Sequence, residues 1–188
     1  MATTADFRNG LCIMHNGDLF TISEFQHVKP GKGPAFVRTK LKNVKTGRLL
    51  TNTFTSGFKI DIQRVERRTY QYLYNEGDTF HFMNTEDYEQ TFIDRSLVPA
   101  PDLLKEGQEV IIAYHGETDS AILCEMPTYV VLEVTYTEPG DRGNTATNTF
   151  KDATVETNTT VKVPLFINEG DKIKVDTRTG HYSERVKS

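Results

Sequence analysis

Turn residues interrupt this chain so often, and its apolar residues alternate with polar ones so regularly, that short paired strands are the fold it can build. Leu11-Cys12-Ile13-Met14-His15 runs into Asn16-Gly17, a pair whose tolerance of positive φ makes a two-residue hairpin, and residues 19–22 return from it. A second hairpin joins 20–28 to 35–41 through Lys29-Pro30-Gly31-Lys32-Gly33-Pro34. A turn at Lys45-Thr46-Gly47 then leads to the threonine-rich run 49–55 and to 58–62. About five short strands in roughly sixty residues suit a small barrel. No helical heptad, low-complexity tract or short repeat breaks the pattern.

Beyond the polar stretch Gln63-Arg64-Val65-Glu66-Arg67-Arg68 the same grammar continues. Tyr70, Tyr72 and Tyr74 are spaced to share one strand face, Asn75-Glu76-Gly77-Asp78 turns the chain, and Phe80 and Phe82 share a face of the next strand. Residues 92–98 read as one or two helical turns stopped before Pro99. Strands at 109–114 and 121–124 follow. After Pro127 come a strand at 129–136, a polar loop at 139–148, a strand at 160–167 and a turn at 168–171. The chain closes on a hairpin of 172–176 and 181–186 about Thr177-Arg178-Thr179-Gly180. The expectation is an all-β chain of three small barrels, at 1–64, 65–127 and 128–188.

Charge sharpens that division. The net charge is −4, which by itself argues against a polyanionic partner. Residues 1–64, however, carry ten Lys/Arg against four Asp/Glu, whereas 65–127 carry four against thirteen and 128–188 eight against nine. The basic excess gathers at Lys29, Lys32, Arg38, Lys40, Lys42, Lys45 and Arg48. Such a cluster is either an electrostatic footprint for nucleic acid or a solvated basic face. In the acidic middle segment phosphates would be repelled, so its tyrosines read as packing rather than as a base-stacking platform.

The loop at the centre of the basic cluster has its own chemistry. Pro30 and Pro34 fix φ and withhold a donor, so neither belongs inside a paired strand. Gly31 and Gly33 permit positive φ and leave no Cβ to block a close approach. Between them stands one long cation, Lys32. The loop is either a solvated connection or a tip that holds an ammonium away from the body. It is not a P-loop: Gln26 occupies the place of the first glycine, and no hydroxyl follows Lys32-Gly33 to bind Mg²⁺.

Catalysis is not expected. The five histidines (His15, His27, His81, His115, His181) are scattered, without metal-ligand spacing to Cys12 or Cys124. No nucleophile elbow, zinc-protease or dinucleotide motif occurs. A lysine at a glycine-flanked tip lacks the desolvated pocket that a Schiff-base nucleophile needs. No catalytic residue, metal or cofactor is therefore assigned. The start of the chain shows no secretory pattern, no apolar stretch approaches a membrane span, and the two cysteines read as reduced thiols of a cytoplasmic protein.

Three separated blocks then point to one family. The first is Phe25-x-x-Val28-Lys29-Pro30-Gly31-Lys32-Gly33-x-Ala35-Phe36, continued by Arg38-x-Lys40-Leu41. The second is Tyr72-Leu73-Tyr74-x-x-Gly77 through His81-Phe82-Met83-Asn84. The third runs from Lys151-x-Ala153 to Val161-x-Val163-Pro164-Leu165-Phe166-Ile167, Gly170, Val175-Asp176-Thr177-Arg178-x-Gly180-x-Tyr182 and Arg185-Val186. In order and spacing, over essentially the whole chain, they resemble the bacterial elongation factor P family.

That resemblance implies an SH3-like, KOW-type first barrel followed by two OB-fold barrels in an L-shaped, tRNA-like arrangement. It implies a monomeric, non-enzymatic factor that binds the 70S ribosome between the peptidyl-tRNA and exit sites and relieves stalling at consecutive prolines. Lys32 would reach the CCA end of the P-site peptidyl-tRNA, scaffolded by Lys29, Pro30, Gly31, Gly33 and Pro34. Arg38, Lys40 and Lys42 would meet tRNA or rRNA backbone. Gly143, Asn144, Thr145, Tyr182 and Arg185 would contact the ribosome near the exit-site mRNA codon. Two departures stand out. The last-barrel loop often reads Gly-Asp-Thr-Ala-Gly-Thr in the family, and here it is Gly143-Asn144-Thr145-Ala146-Thr147-Asn148. Many relatives carry a long group added to the loop lysine by a modifying enzyme, which is thus a further implied partner. The near-palindrome Pro30-Gly31-Lys32-Gly33-Pro34 points instead to a rigid, bare lysine. The alternatives are a paralogue of the same architecture and a single-strand RNA-binding OB protein acting away from ribosomes.

Overall fold

The computed structural model describes residues 2–139 and 149–186. Residues 2–62 build six strands: β1 (Ala2–Thr3), β2 (Cys12–His15), β3 (Asp18–Val28), β4 (Phe36–Asn43), β5 (Leu49–Thr55) and β6 (Lys59–Ile62). They hydrogen-bond in the order β1-β6-β2-β3-β4-β5. A second sheet holds β7 (Val65–Glu76), β8 (Thr79–Asn84), β9 (Gln90–Asp94), β10 (Glu109–His115) and β11 (Ser120–Glu125), ordered β11-β10-β7-β8-β9. The third holds β12 (Tyr129–Thr137), β13 (Phe150–Val155), β14 (Thr160–Pro164), β15 (Lys172–Asp176) and β16 (Tyr182–Arg185), ordered β14-β13-β12-β15-β16. Among the described residues the helical content is three single 3₁₀ turns. The all-β expectation stands.

The chain divides into two compact units, Met1–Arg67 with Ala113–Leu123, and Arg68–Ile112 with Cys124–Ser188. In the first, period-two alternation sorts β4 into two faces. Val37 and Leu41 are fully buried, while Arg38, Lys40 and Lys42 point outward. The inward set joins Phe7, Leu11, Ile13, Phe20, Ile22 and Phe54 in one core. Full burial of such a side chain stabilises by roughly 1.5–3 kcal/mol. Asn16 (φ 51°) and Gly17 (φ 84°) make the expected hairpin turn. In the same unit the Gly116 N–H donates to the Arg64 carbonyl at 2.8 Å. A Cβ on Gly116 would stand 2.9 Å from Arg64 Cβ and Cγ, so only glycine allows this approach.

The second unit includes the third sheet, whose core is Val130, Leu132, Val134, Val161, Val163, Ile167, Ile173 and Val175, joined by Leu103. Three readings need correction. Residues 92–98 are not chiefly helical: Phe92, Ile93 and Asp94 complete β9, and only Arg95–Leu97 makes a 3₁₀ turn. The helical turn is confined there because Asp94 accepts the Ser96 N–H and caps it. Tyr74 does not share a face with Tyr70 and Tyr72. A β-bulge between Tyr72 and Tyr74 sets Tyr72 opposite Phe82 but Tyr74 opposite His81, on the other side of the sheet. Strands β1 and β13 went unanticipated, and the strand expected over 160–167 ends at Pro164, which cannot donate to a continuing ladder.

Candidate nucleic-acid interface

The ladder between β3 and β4 closes at Val28 opposite Phe36, so the loop begins where its prolines require. Lys29, Gly31, Lys32, Gly33 and Pro34 are exposed. Gly33 has φ 110°, a conformation that only glycine adopts without strain, whereas Gly31 does not use positive φ. The two glycines therefore do different jobs. Gly33 shapes the loop, with the Pro30 ring 3.9 Å from where its Cβ would be. Gly31 has open space around it and leaves room for something else. Among the described residues no carboxylate pairs with Lys29 or Lys32. On the β4 side the Ala35 carbonyl accepts the Ser56 N–H at 2.9 Å and ties the loop's exit to the next strand.

Arg38, Lys40 and Lys42 continue the cationic surface down the outer face of β4. Across the ladder they meet Gln26, Glu24 and Thr21. Lys40 is paired with Glu24 at 2.8 Å, both side chains more than half exposed. An exposed pair of this kind contributes about 0–1 kcal/mol, so a phosphate can replace its carboxylate. The pairing depends on a β-bulge between Ile22 and Glu24. The extra residue, Ser23, donates to the Lys40 carbonyl at 3.0 Å, and Glu24 is thereby turned outward beside the lysine.

Tyr182 and Arg185 belong to the third sheet. Tyr182 is half-buried, stands opposite Val175 and packs on the core. Arg185 is exposed, 3.8 Å from the Asp171 carboxylate, with its guanidinium 5.8 Å from the centre of the Phe166 ring. Gly143, Asn144 and Thr145 lie outside the described residues. One neighbouring cation was not weighed from the sequence. Arg178 folds back on Asp176, with Nε 3.1 Å from Oδ1 and Nη2 2.7 Å from Oδ2, while its N–H donates to Oδ1 at 2.8 Å. The guanidinium hydrogen bonds, followed by the backbone one, push the Asp176 carboxyl down to about 2. The acid two positions before a turn cation was the signal for it.

Among the described residues no three His, Cys, Asp or Glu side chains converge as metal ligands. Cys12 and Cys124 are free thiols; burial, then the Glu125 carboxylate, pushes Cys124 up to about 12, the opposite of an activated nucleophile. No helix among the described residues is long and apolar enough to cross a membrane.

Comparison with known proteins covers the whole chain. Residues 3–60 match the family model of the elongation factor P KOW-like domain, 65–122 that of the elongation factor P OB domain, and 130–185 that of the elongation factor P C-terminal region. Elongation factor P of Flavobacterium johnsoniae is 61% identical over 187 residues, with 100% of each chain covered. The protein of that name from Flavobacterium psychrophilum is 60% identical over 187 residues, again with 100% of each chain covered. Among solved structures, the eukaryotic translation initiation factor 5A from Methanococcus jannaschii aligns at 21% identity and TM-score 0.48, over 65% of this chain and 92% of that one.

Proposed function

The chain belongs to the elongation factor P family and is a translation elongation factor, and from that premise we propose that it binds the 70S ribosome between the peptidyl-tRNA and exit sites and promotes peptide-bond formation at consecutive prolines. The observation that carries this reading is the exposed Lys32, with no carboxylate paired to it among the described residues, between two glycines of different function. Proline's ring restricts the geometry in which it gives or accepts a peptide. A factor that pins the CCA end of the P-site tRNA removes orientational entropy from the search for a near-attack geometry, with no bond made to itself. Lys32 holds that end; Lys29, Pro30, Gly31, Gly33 and Pro34 hold Lys32.

Arg38, Lys40 and Lys42 supply phosphate contacts that set position and make binding fall with salt. Arg185 adds a charge on the third sheet, where Tyr182 packs on the core. Gly143, Asn144 and Thr145 contribute to ribosome contact at the exit site, and the domains divide at 64/65 and 127/128. The protein works as a cytoplasmic monomer. Pro34 stiffens the loop from the β4 side, and Lys32 works unmodified; a native Lys32 peptide whose mass carries an adduct would refute that part and bring in a modifying enzyme.

The test is in vitro translation of a reporter with three consecutive prolines, with and without the protein. Wild type restores full-length product, and Lys32→Ala does not. No stimulation by wild type would end the proposal. Tight binding to free single-stranded RNA with weak 70S binding would favour an RNA-binding protein acting away from ribosomes.

A further inference from the structure

The acidic sheet carries a surface with no part in the function proposed above. Residues 69–94 contain six carboxylates and not one Lys or Arg. Because of the bulge after Tyr72, one rung across β7, β8 and β9 on the outer face is Tyr74, His81 and Phe92. Tyr74 stacks on His81 with ring centres 4.5 Å apart and planes 16° from parallel, and His81 lies 6.2 Å from Phe92. Phe92 is nonetheless 69% exposed and Tyr74 49%. Two residues along, the next rung is Glu76, Thr79 and Asp94, which sets one carboxylate beside the Tyr74 end of the aromatic row and another beside the Phe92 end. At the other end the turn after Asn84 holds Glu86, Asp87 and Glu89. His81 Nε2 is shielded among these rings without a hydrogen-bond partner among the described residues.

Open aromatic faces between carboxylates fit one kind of visitor. Nucleic acid stacks on aromatics but needs cations for its phosphates, and the nearest following cation, Arg95, is held by Asp102 at 2.6 Å. A guanidinium is attracted both by a ring face within about 6 Å and by flanking carboxylates. We propose that the outer face of β7–β9 is a docking surface for a basic protein segment, which seats an arginine over Tyr74 and Phe92 between Glu76 and Asp94. Charge complementarity excludes RNA there and selects arginine-bearing polypeptide. The proposal stands independently of the role of Lys32.

The test uses the full chain and a short fluorescein-labelled Arg-Gly repeat peptide, read by fluorescence anisotropy at low salt. Phe92→Ala leaves the charge untouched and is expected to weaken binding by about tenfold, with Tyr74→Ala doing the same. Glu76→Gln with Asp94→Asn is expected to cost at least as much, and the asparagine side chain still caps the 3₁₀ turn. Glu117→Gln with Glu169→Gln removes the same charge elsewhere and is expected to change little. If that control loses as much as the flanking pair, or if Phe92→Ala binds normally, only net charge is at work and the docking surface is refuted. A labelled oligouridine that binds and is released by Phe92→Ala would reassign the face to RNA. Dimerisation of the free chain that Phe92→Ala abolishes would reassign it to a second copy.

Discussion

Two hairpin tips in this molecule each hold a long cation close to a glycine, Lys32 and Arg178, and they treat it in opposite ways. At the β3–β4 tip Lys32 stands exposed between glycines with no carboxylate paired to it among the described residues. At the β15–β16 tip Arg178 is gripped by Asp176 through a two-pronged hydrogen bond. Position on a turn is shared; availability is not. A cation already satisfied by its own hairpin must give up charge-assisted bonds before it can meet a phosphate, whereas a free one loses only water and rotamer freedom. Arg178 therefore shapes its turn, and Lys32 is free for the partner proposed above.

The contrast can be strained from the Lys32 side first. Gly33→Ala forces a side chain onto φ 110°, which costs about 1–3 kcal/mol and re-aims the tip. We expect stimulation of the triproline reporter to fall by about tenfold or more, with the thermal midpoint lowered by only several degrees, because the core beneath is untouched. Gly31→Ala is the sharper probe, because its Cβ meets nothing within 4 Å. The loop keeps its shape, so any loss, which we expect to be a few-fold, measures how closely the partner approaches. Equal effects of the two alanines would mean that the glycines are interchangeable spacers.

A smaller effect probes the Arg178 side. Asp176 is held down to about 2 in the folded chain, below the ordinary aspartate value of 3.8. A carboxyl depressed on folding contributes stability that is complete above its unfolded pKa and is lost as pH falls through the folded one. The thermal midpoint should therefore slope downward between about pH 4 and about pH 2, and Arg178→Gln should flatten part of that slope. An unchanged slope would show that the fork holds no charge in solution. Smallest of all, Glu24→Gln releases Lys40 and should leave stability within about 1 kcal/mol while strengthening ribosome binding slightly at low salt.

The sequence showed much of this and hid the rest for definable reasons. Prolines and glycines announced the Lys32 loop, and alternation along β4 announced which residues face out, because both are local. The partners of those residues are not local. Glu24 reaches Lys40, and Tyr74 reaches His81, through β-bulges that shift parity by one residue, and nothing in the local pattern marks a bulge at Ser23 or Leu73. Strand β13 escaped notice because its buried positions are the small Ala153 and Val155 while its one large apolar residue, Phe150, is 53% exposed. The same inversion disguised β9, where exposed Phe92 adjoins buried Ile93. Family likeness located Tyr182, but only packing shows that it spends much of its surface on the core.

The most direct test sets the two tips against each other in one assay: the rate of peptide-bond formation on a triproline template with Lys32→Ala and with Arg178→Ala. Lys32→Ala is predicted to abolish the stimulation and Arg178→Ala to keep most of it. Equal loss from both, or retention by Lys32→Ala, would contradict the assignment of Lys32 as the cation left for a partner.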